Sequence, residues 1–318
     1  GVHRAASGIP AARRLSGDLG VQPDRFKDLG AFFLDRHVAV FDPFQAVAGN
    51  GGQRGGQIGV PDAVLAVLAA GVGLVAVAVA ENRSFAIPQV IRDHPATRVV
   101  LLDDGYQHRE VNPGLNILLT EYNRLYTKDW LLPVGRLREW RGGAVRADVI
   151  VVTKCPDTLT AAEIKEITAD VKKREDQEVF FSRYRYGLPY KMYGSGERLA
   201  FHKDLDVLLV VAIAGTEYLL EYVESQCADV HMVAYNDHHP FSNFDVGDIE
   251  RHFKAMPEGR ERIIVTTEKD AMRLDSHRDL LRSMSLPIYI LPVAVQFVDE
   301  DPEAFDRYIK EWLLNFKQ

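Results

Sequence analysis

Val99-Val100-Leu101-Leu102-Asp103-Asp104-Gly105-Tyr106-Gln107-His108 is an apolar run that stops abruptly at two carboxylates and a glycine. The run of Val and Leu predicts a buried strand, and Gly105 lets the chain turn sharply at its carboxyl end. Two acidic side chains at the tip of a buried strand are hard oxygen donors, suited to Mg²⁺ beside nucleotide phosphates. The letters Asp-Asp-Gly also make an ordinary turn after a strand. Gln107 and His108 tilt the reading towards chemistry, because both side chains can orient a phosphate or a metal-bound water.

Working outwards, the flanking text is regular from Val75 on. It predicts a strand over 75–79, a helix over 84–94, and buried strands over 115–120 and 147–153. Short β-branched runs separated by helical segments argue for an α/β fold, a parallel sheet with helices on both faces. A helix is expected over 161–174, with Ile164, Ile167 and Val171 on one side. Strands over 179–186 and 199–201 follow. Residues 206–214 then open a second, smaller α/β region with strands over 262–267 and 287–291. The segment 302–316 reads as an amphipathic helix burying Phe305, Tyr308, Ile309 and Trp312. Residues 1–60 have little periodicity, apart from a strand expected around 37–41. The expected organisation is an irregular region over 1–75, a nucleotide- and metal-binding core over 76–175, and a C-terminal α/β domain over 176–318.

Composition narrows the function classes. The chain has 318 residues, 47% hydrophobic and 26% charged, as in ordinary globular proteins, and a net charge of -7. That balance provides no general basic surface for a nucleic-acid backbone, so no nucleic-acid partner is expected. Cys155 and Cys227 form no CxxC pair, and they read as buried small hydrophobes in a reducing compartment. The first 30 residues contain no apolar core of a secretory signal. Residues 63–80 are 18 consecutive apolar residues, long enough to raise a membrane-spanning helix. They are mostly Ala, Val and Gly, with three Leu and no Ile or Phe, so the expectation is a short buried helix over 62–70, a Gly turn and a strand over 74–79.

Other clusters carry chemistry or merely structure. Arg136, Arg138 and Glu139 follow an apolar run in a loop containing Pro and Gly. Guanidinium groups there can clamp phosphate oxygens with a carboxylate holding them, or simply form a solvated basic loop. Ala147–Lys154 ends a strand with Thr153 and Lys154. Tyr235-Asn-Asp-His-His-Pro-Phe241 gathers titratable groups in a turn, where a carboxylate can tune an imidazole for proton transfer. Val265–Asp270 places Thr267 and Asp270 as a helix N-cap pair, the structural alternative to a charged site.

In order, LLDDGYQHR, LNILLTEYNRLYTKDWLLPVGRLRE, RADVIVVTK, NDHHPFS and VTTEKDAMRL resemble the successive signatures of the lipid A 4'-kinase (tetraacyldisaccharide 4'-kinase) family over about 76–318. The resemblance implies a P-loop NTPase-like core. The implied activity is transfer of the ATP γ-phosphate to the 4'-hydroxyl of a tetraacylated glucosamine disaccharide 1-phosphate, at the cytoplasmic face of the bacterial inner membrane. It implies that Asp103 and Asp104 hold Mg²⁺, with Asp104 and His238 catalytic. Gln107, His108, Arg138 and Glu139 would line the nucleotide or substrate phosphates, and His238 would approach the reacting hydroxyl.

The resemblance also calls for a phosphate-binding loop with a Lys-Ser/Thr pair. Residues 49–59 are Gly-rich but lack that pair, and a flexible linker is the other reading. The alternative function is therefore a catalytically impaired or inactive remnant of the family. An unrelated metal hydrolase or GTPase is disfavoured, because no NKxD base-specifying pattern occurs.

Overall fold

The computed structural model describes residues 38–41, 64–69, 73–79, 82–95, 97–194, 196–237, 239–298, 301 and 303–316. Its strands are β1 (Val38–Phe41), β2 (Val64–Ala69), β3 (Gly73–Val79), β4 (Thr97–Asp103), β5 (Leu115–Glu121), β6 (Val149–Thr153), β7 (Glu178–Tyr186), β8 (Tyr190–Lys191), β9 (Leu205–Val211), β10 (Asp229–Ala234), β11 (Glu261–Thr267), β12 (Ile288–Leu291) and β13 (Val293–Phe297). Its α-helices are α1 (Arg83–Asp93), α2 (Ala161–Val171), α3 (Glu217–Gln226), α4 (Asn243–Ala255), α5 (Glu268–Leu274), α6 (Arg278–Met284) and α7 (Ala304–Asn315). Two compact units result. Tyr186–Val293 forms one, and the segment ending at Arg185 forms the other together with the residues from Ala294 on.

The unit ending at Arg185 is built on an eight-stranded sheet of order β13-β7-β6-β5-β1-β4-β2-β3. Alternation along β6 decides its two faces. Val149 and Val151 join Leu101, Leu115, Ile117 and Phe180 in one core, which α7 covers with Phe305 and Ile309. Ile150 and Val152 point the other way, into a core with Phe181 and with Val171 of α2. Phe305 is fully buried, stacked on Phe297 at 4.5 Å and edge-on to Phe180 at 5.2 Å. Helix α2 begins with a capping box between Thr160 and Glu163, which satisfies donors that a helix start leaves orphaned.

The Tyr186–Val293 unit has a five-stranded sheet of order β10-β9-β11-β12-β8. Strand β9 is buried along its whole length, as expected for a strand covered on both faces. Leu208 and Val210 face a core with Val246 and Ile249 of α4, while Val207 and Leu209 face Leu219 and Val223 of α3.

Both sheets have helices on both faces, and the α/β class stands, but the sheets are mixed rather than parallel. In the larger one β5, β6 and β7 are parallel, while β1 lies antiparallel between β4 and β5. Strand β2 pairs antiparallel with both β3 and β4. In the smaller one only β8 is antiparallel, to β12. The helix expected over 62–70 is instead β2. The short connection from Ala69 to Gly73 permits a hairpin but not the long crossover that a parallel pair needs. Residues 199–201 form no strand; the nearest pairing is an isolated bridge between Tyr190 and Arg198. The segment 302–316, assigned from sequence to a C-terminal domain, packs instead in the unit of the eight-stranded sheet. Among the described residues no helix is long and apolar enough to cross a membrane. Cys155 and Cys227 are both buried and neither is in a disulfide, and burial pushes the Cys227 thiol up to about 11. The Gly-rich segment 49–59 and His238 lie outside the described residues.

Candidate functional site

Strand β4 runs through the core with Val100, Leu101 and Leu102 buried, and it delivers Asp103 and Asp104 at its carboxyl end. Asp104 has φ 49°, a left-handed conformation that Asp tolerates better than most side chains. At Gly105 an added Cβ would lie 2.8 Å from the Leu102 Cβ, so the turn folds back on its own strand only with glycine there. The Asp104 carboxylate accepts a hydrogen bond from Arg138 Nη1 at 2.7 Å. Both side chains are about half exposed, and such a pair contributes at most about 1 kcal/mol.

A second cation approaches from α1. Arg83 opens that helix just after Asn82, whose side chain caps it by accepting from the Phe85 N–H. Arg83 is buried, and burial lowers its pKa, while the charges of Asp104 and Asp103 oppose that shift. A guanidinium withdrawn from water and facing two carboxylates is charge-balanced where it sits. Sequence reading did not single out Arg83. Its signal is faint, since a basic residue at the first position of a helix runs against the helix dipole. His108 belongs to the same group. Burial and then the charge of Arg83 pull its pKa below the ordinary 6.5, against Asp104 and Glu110, which favours the neutral imidazole. Gln107 is exposed in the same turn.

Arg138 and Glu139 are neighbours in sequence but bind different partners. Glu139 accepts from Arg109 Nη2 at 2.9 Å and from Arg146 Nη2 at 2.7 Å. The Arg146 guanidinium also lies over the Tyr106 ring, 4.6 Å from its centroid, and donates to the Tyr106 carbonyl at 3.2 Å. The Tyr106 hydroxyl in turn donates to the Gly143 carbonyl at 2.9 Å, and burial pushes its phenol up to about 12. The strand-tip turn is thereby tied to the 3₁₀ turn Arg141–Arg146. Arg109, Arg146 and Tyr106 also escaped the sequence reading, because only the fold brings them to Glu139. Lys154, at the end of β6, pairs with Glu121.

In the other unit, the turn before α4 is held by its own polar groups. His239 Nε2 lies 3.1 Å from Asp245 Oδ2, and Asp245 forms a capping box with Ser242. The Thr267–Asp270 pair is an N-cap as expected. The Asp270 carboxylate is fully buried, accepting from the Ala212 N–H at 3.0 Å and paired with Arg273 at 2.9 Å. That segment is structural.

Among the described residues no group of three or more His, Cys, Asp or Glu side chains is placed to hold a metal. Two carboxylates at a strand tip still suit Mg²⁺, which typically takes one or two protein carboxylates and completes its shell with phosphates and water. The donor chemistry of Asp103 and Asp104 therefore fits that ion.

The family model described as Tetraacyldisaccharide-1-P 4'-kinase matches residues 63–314, beginning upstream of the limit of 76 read from sequence. A protein named Tetraacyldisaccharide 4'-kinase from Phocaeicola vulgatus is 36% identical over 242 residues, covering 74% of this chain and 66% of that relative. One of the same name from Bacteroides thetaiotaomicron is 37% identical over 246 residues, covering 74% and 64%. Among solved structures, LpxK from Aquifex aeolicus in complex with ATP is 20% identical with a TM-score of 0.46, covering 74% of this chain and 64% of that one. The chain spans about two thirds of the length of the curated relatives it matches. By the extent of these matches, the chain belongs to the tetraacyldisaccharide-1-P 4'-kinase family.

Proposed function

We propose that this chain is an ATP-dependent phosphotransferase acting on the 4'-hydroxyl of an acylated glucosamine disaccharide 1-phosphate in lipid A synthesis. The observation that carries the reading is the strand tip, where Asp104 pairs with Arg138 and the charges of Asp104 and Asp103 offset the burial of Arg83. Phosphoryl transfer asks a protein chiefly to position its reactants and to neutralise charge on the moving group. Asp103 and Asp104 would hold Mg²⁺, which when bound offsets charge on the β- and γ-phosphates. Arg138, half exposed and on the loop side, is suited to exchange its carboxylate for a phosphate oxygen. A neutral His108 and Gln107 line the same turn as hydrogen-bonding groups that add no charge. In the transfer the 4'-oxygen bonds to the γ-phosphorus, the bond to the β–γ bridging oxygen breaks, ADP leaves, and the hydroxyl proton is released. The family resemblance assigns His238 to the neighbourhood of that hydroxyl. On this reading ATP and an acylated acceptor would meet at the cytoplasmic face of the inner membrane, and the chain would work there peripherally.

Transfer of labelled γ-phosphate to the acceptor tests the reading. The expected result is Mg²⁺-dependent turnover that EDTA and D103A each reduce to background, and that H238A slows without weakening ATP binding. A wild-type chain that neither binds Mg-ATP nor transfers phosphate overturns the reading in favour of an inactive family remnant.

A further inference from the structure

Between Lys128 and Arg146 the chain turns large apolar side chains outwards. Trp130 is 60% exposed, Leu132 62%, Val134 83% and Trp140 62%. Other large exposed apolar residues among those described, such as Phe85, Phe244 and Leu314, occur far apart in the chain. Large apolar side chains turned outwards from one loop, two of them sharing the Arg141 guanidinium, suit a docking face better than the single scatter usual on a protein surface.

Its chemistry is that of a water–lipid boundary. Within an acidic chain of net charge -7, this stretch carries five basic side chains against Asp129 and Glu139. The Arg141 guanidinium lies 5.0 Å from the Trp130 ring and 5.9 Å from the Trp140 ring, so both indoles share one cation at the edge of the patch. Indole rings favour the headgroup level, and Arg side chains bury their stems while keeping the charge at phosphate depth.

The backbone of the tip is prepared for the same place. Leu132 N–H donates to the Leu137 carbonyl and Leu137 N–H to the Trp130 carbonyl, while the Val134 and Gly135 N–H groups both donate to the Leu131 carbonyl. Arg136 N–H reaches Asp129 Oδ1 at 3.3 Å, and Pro133 has no N–H. Every amide hydrogen from Leu132 to Leu137 is thus paired within the loop, which lowers the cost of taking these donors out of water.

We propose that the Trp130–Trp140 tip is the surface by which this chain docks onto a bilayer containing anionic lipids. With Arg138 and Arg146 committed to Asp104 and Glu139, Lys128, Arg136 and Arg141 outnumber Asp129 and select the anionic headgroups, and the apolar tip enters beneath them. The proposal deepens the lipid-kinase reading and rests on it for its purpose. Arg138 and Glu139 lie in the same loop, so docking by the tip would bring the strand-tip carboxylates close to a membrane-held acceptor.

The test is cosedimentation of the full chain with vesicles of phosphatidylcholine alone, or with added phosphatidylglycerol, without nucleotide or acceptor. The expected result is binding to the anionic vesicles only, with tryptophan quenching by brominated lipids. An L132D/V134D chain with an unchanged thermal melt should bind roughly tenfold less. Wild type that binds neither vesicle, or binds both alike, overturns the proposal, as does a variant that binds like wild type. Lipid-free gel filtration in which the variant dissociates a wild-type dimer overturns it in favour of self-association. Vesicle binding is read without ATP and should survive D104N, so failure here and failure of the kinase reading are told apart.

Discussion

Exchanging Asp104 for Asn separates the chemical role of the strand tip from its structural one. Three contributions can be worked from the structure. The ion pair to Arg138, 2.7 Å long and half exposed, contributes about 0.5–1 kcal/mol. The backbone at φ 49° costs Asn no more than Asp, whereas Ala would add about 1 kcal/mol of left-handed strain. The fold should therefore lose no more than about 1 kcal/mol, a shift of roughly 2–4 °C in melting temperature for a unit of this size. On the proposed function, one of two metal-holding carboxylates is lost, and with it charge compensation at the phosphates. Losing one well-placed electrostatic group typically costs roughly 10²–10³-fold in kcat. The assay is steady-state phosphate transfer at saturating Mg-ATP, run beside a thermal melt of the same preparation. Activity equal to wild type refutes the metal-holding assignment. A melt lowered by more than about 10 °C refutes the claim that the pair is weak, and makes Asp104 structural.

Three other expectations follow from the same geometry. A Cβ at Gly143 would stand 2.3 Å from Glu139 Oε1, so G143A should displace that carboxylate from Arg109 and Arg146, weakening ATP binding and lowering the melt by the loss of those two bonds, as isothermal titration beside calorimetry would read. Because folding depresses the His108 pKa, the unfolded chain binds more protons just below 6.5, so the stability it contributes is present above that pH and lost as pH falls towards the folded value; thermal melts across that range should lose this limb in H108Q. F305A empties a fully buried aromatic site under α7 and should cost about 3–5 kcal/mol in denaturant unfolding of the unit built on the larger sheet.

The parts of the fold that could be read from sequence share one property, a local period. The all-apolar runs of β6 and β9, and the capped start of α2, declare themselves within a few residues. Pairing has no such local mark. Nothing in Val38–Phe41 says that it inserts antiparallel between β4 and β5, and nothing after Ala294 says that α7 returns to the core of β5 and β6. The Val/Leu/Ala text of β2 suits a buried helix and a strand alike, and its pairing with β3 and β4 decides between them. The site divides in the same way. Asp103 and Asp104 were legible because adjacent residues at one strand tip need no tertiary contact to be neighbours. Arg83, Arg109 and Arg146 were not, since each reaches its carboxylate from a different segment.

That division bears on which residues can touch a nucleotide. Arg138 and Glu139 read from sequence as one phosphate-lining pair, yet their surroundings give them unequal freedom. Arg138 is held by a single exposed ion pair worth at most about 1 kcal/mol, so trading Asp104 for a phosphate oxygen costs it little. Glu139 is largely withdrawn from solvent and accepts from two guanidinium groups, the exposed Arg109 contributing at most about 1 kcal/mol and the less exposed Arg146 about 1–2 kcal/mol. Moving it onto a ligand would forfeit both bonds, and a carboxylate has no attraction for phosphate to repay them. On the proposed function, Arg138 is then the mobile clamp. Glu139 works one step back, fixing where Arg109 and Arg146 present their positive charge.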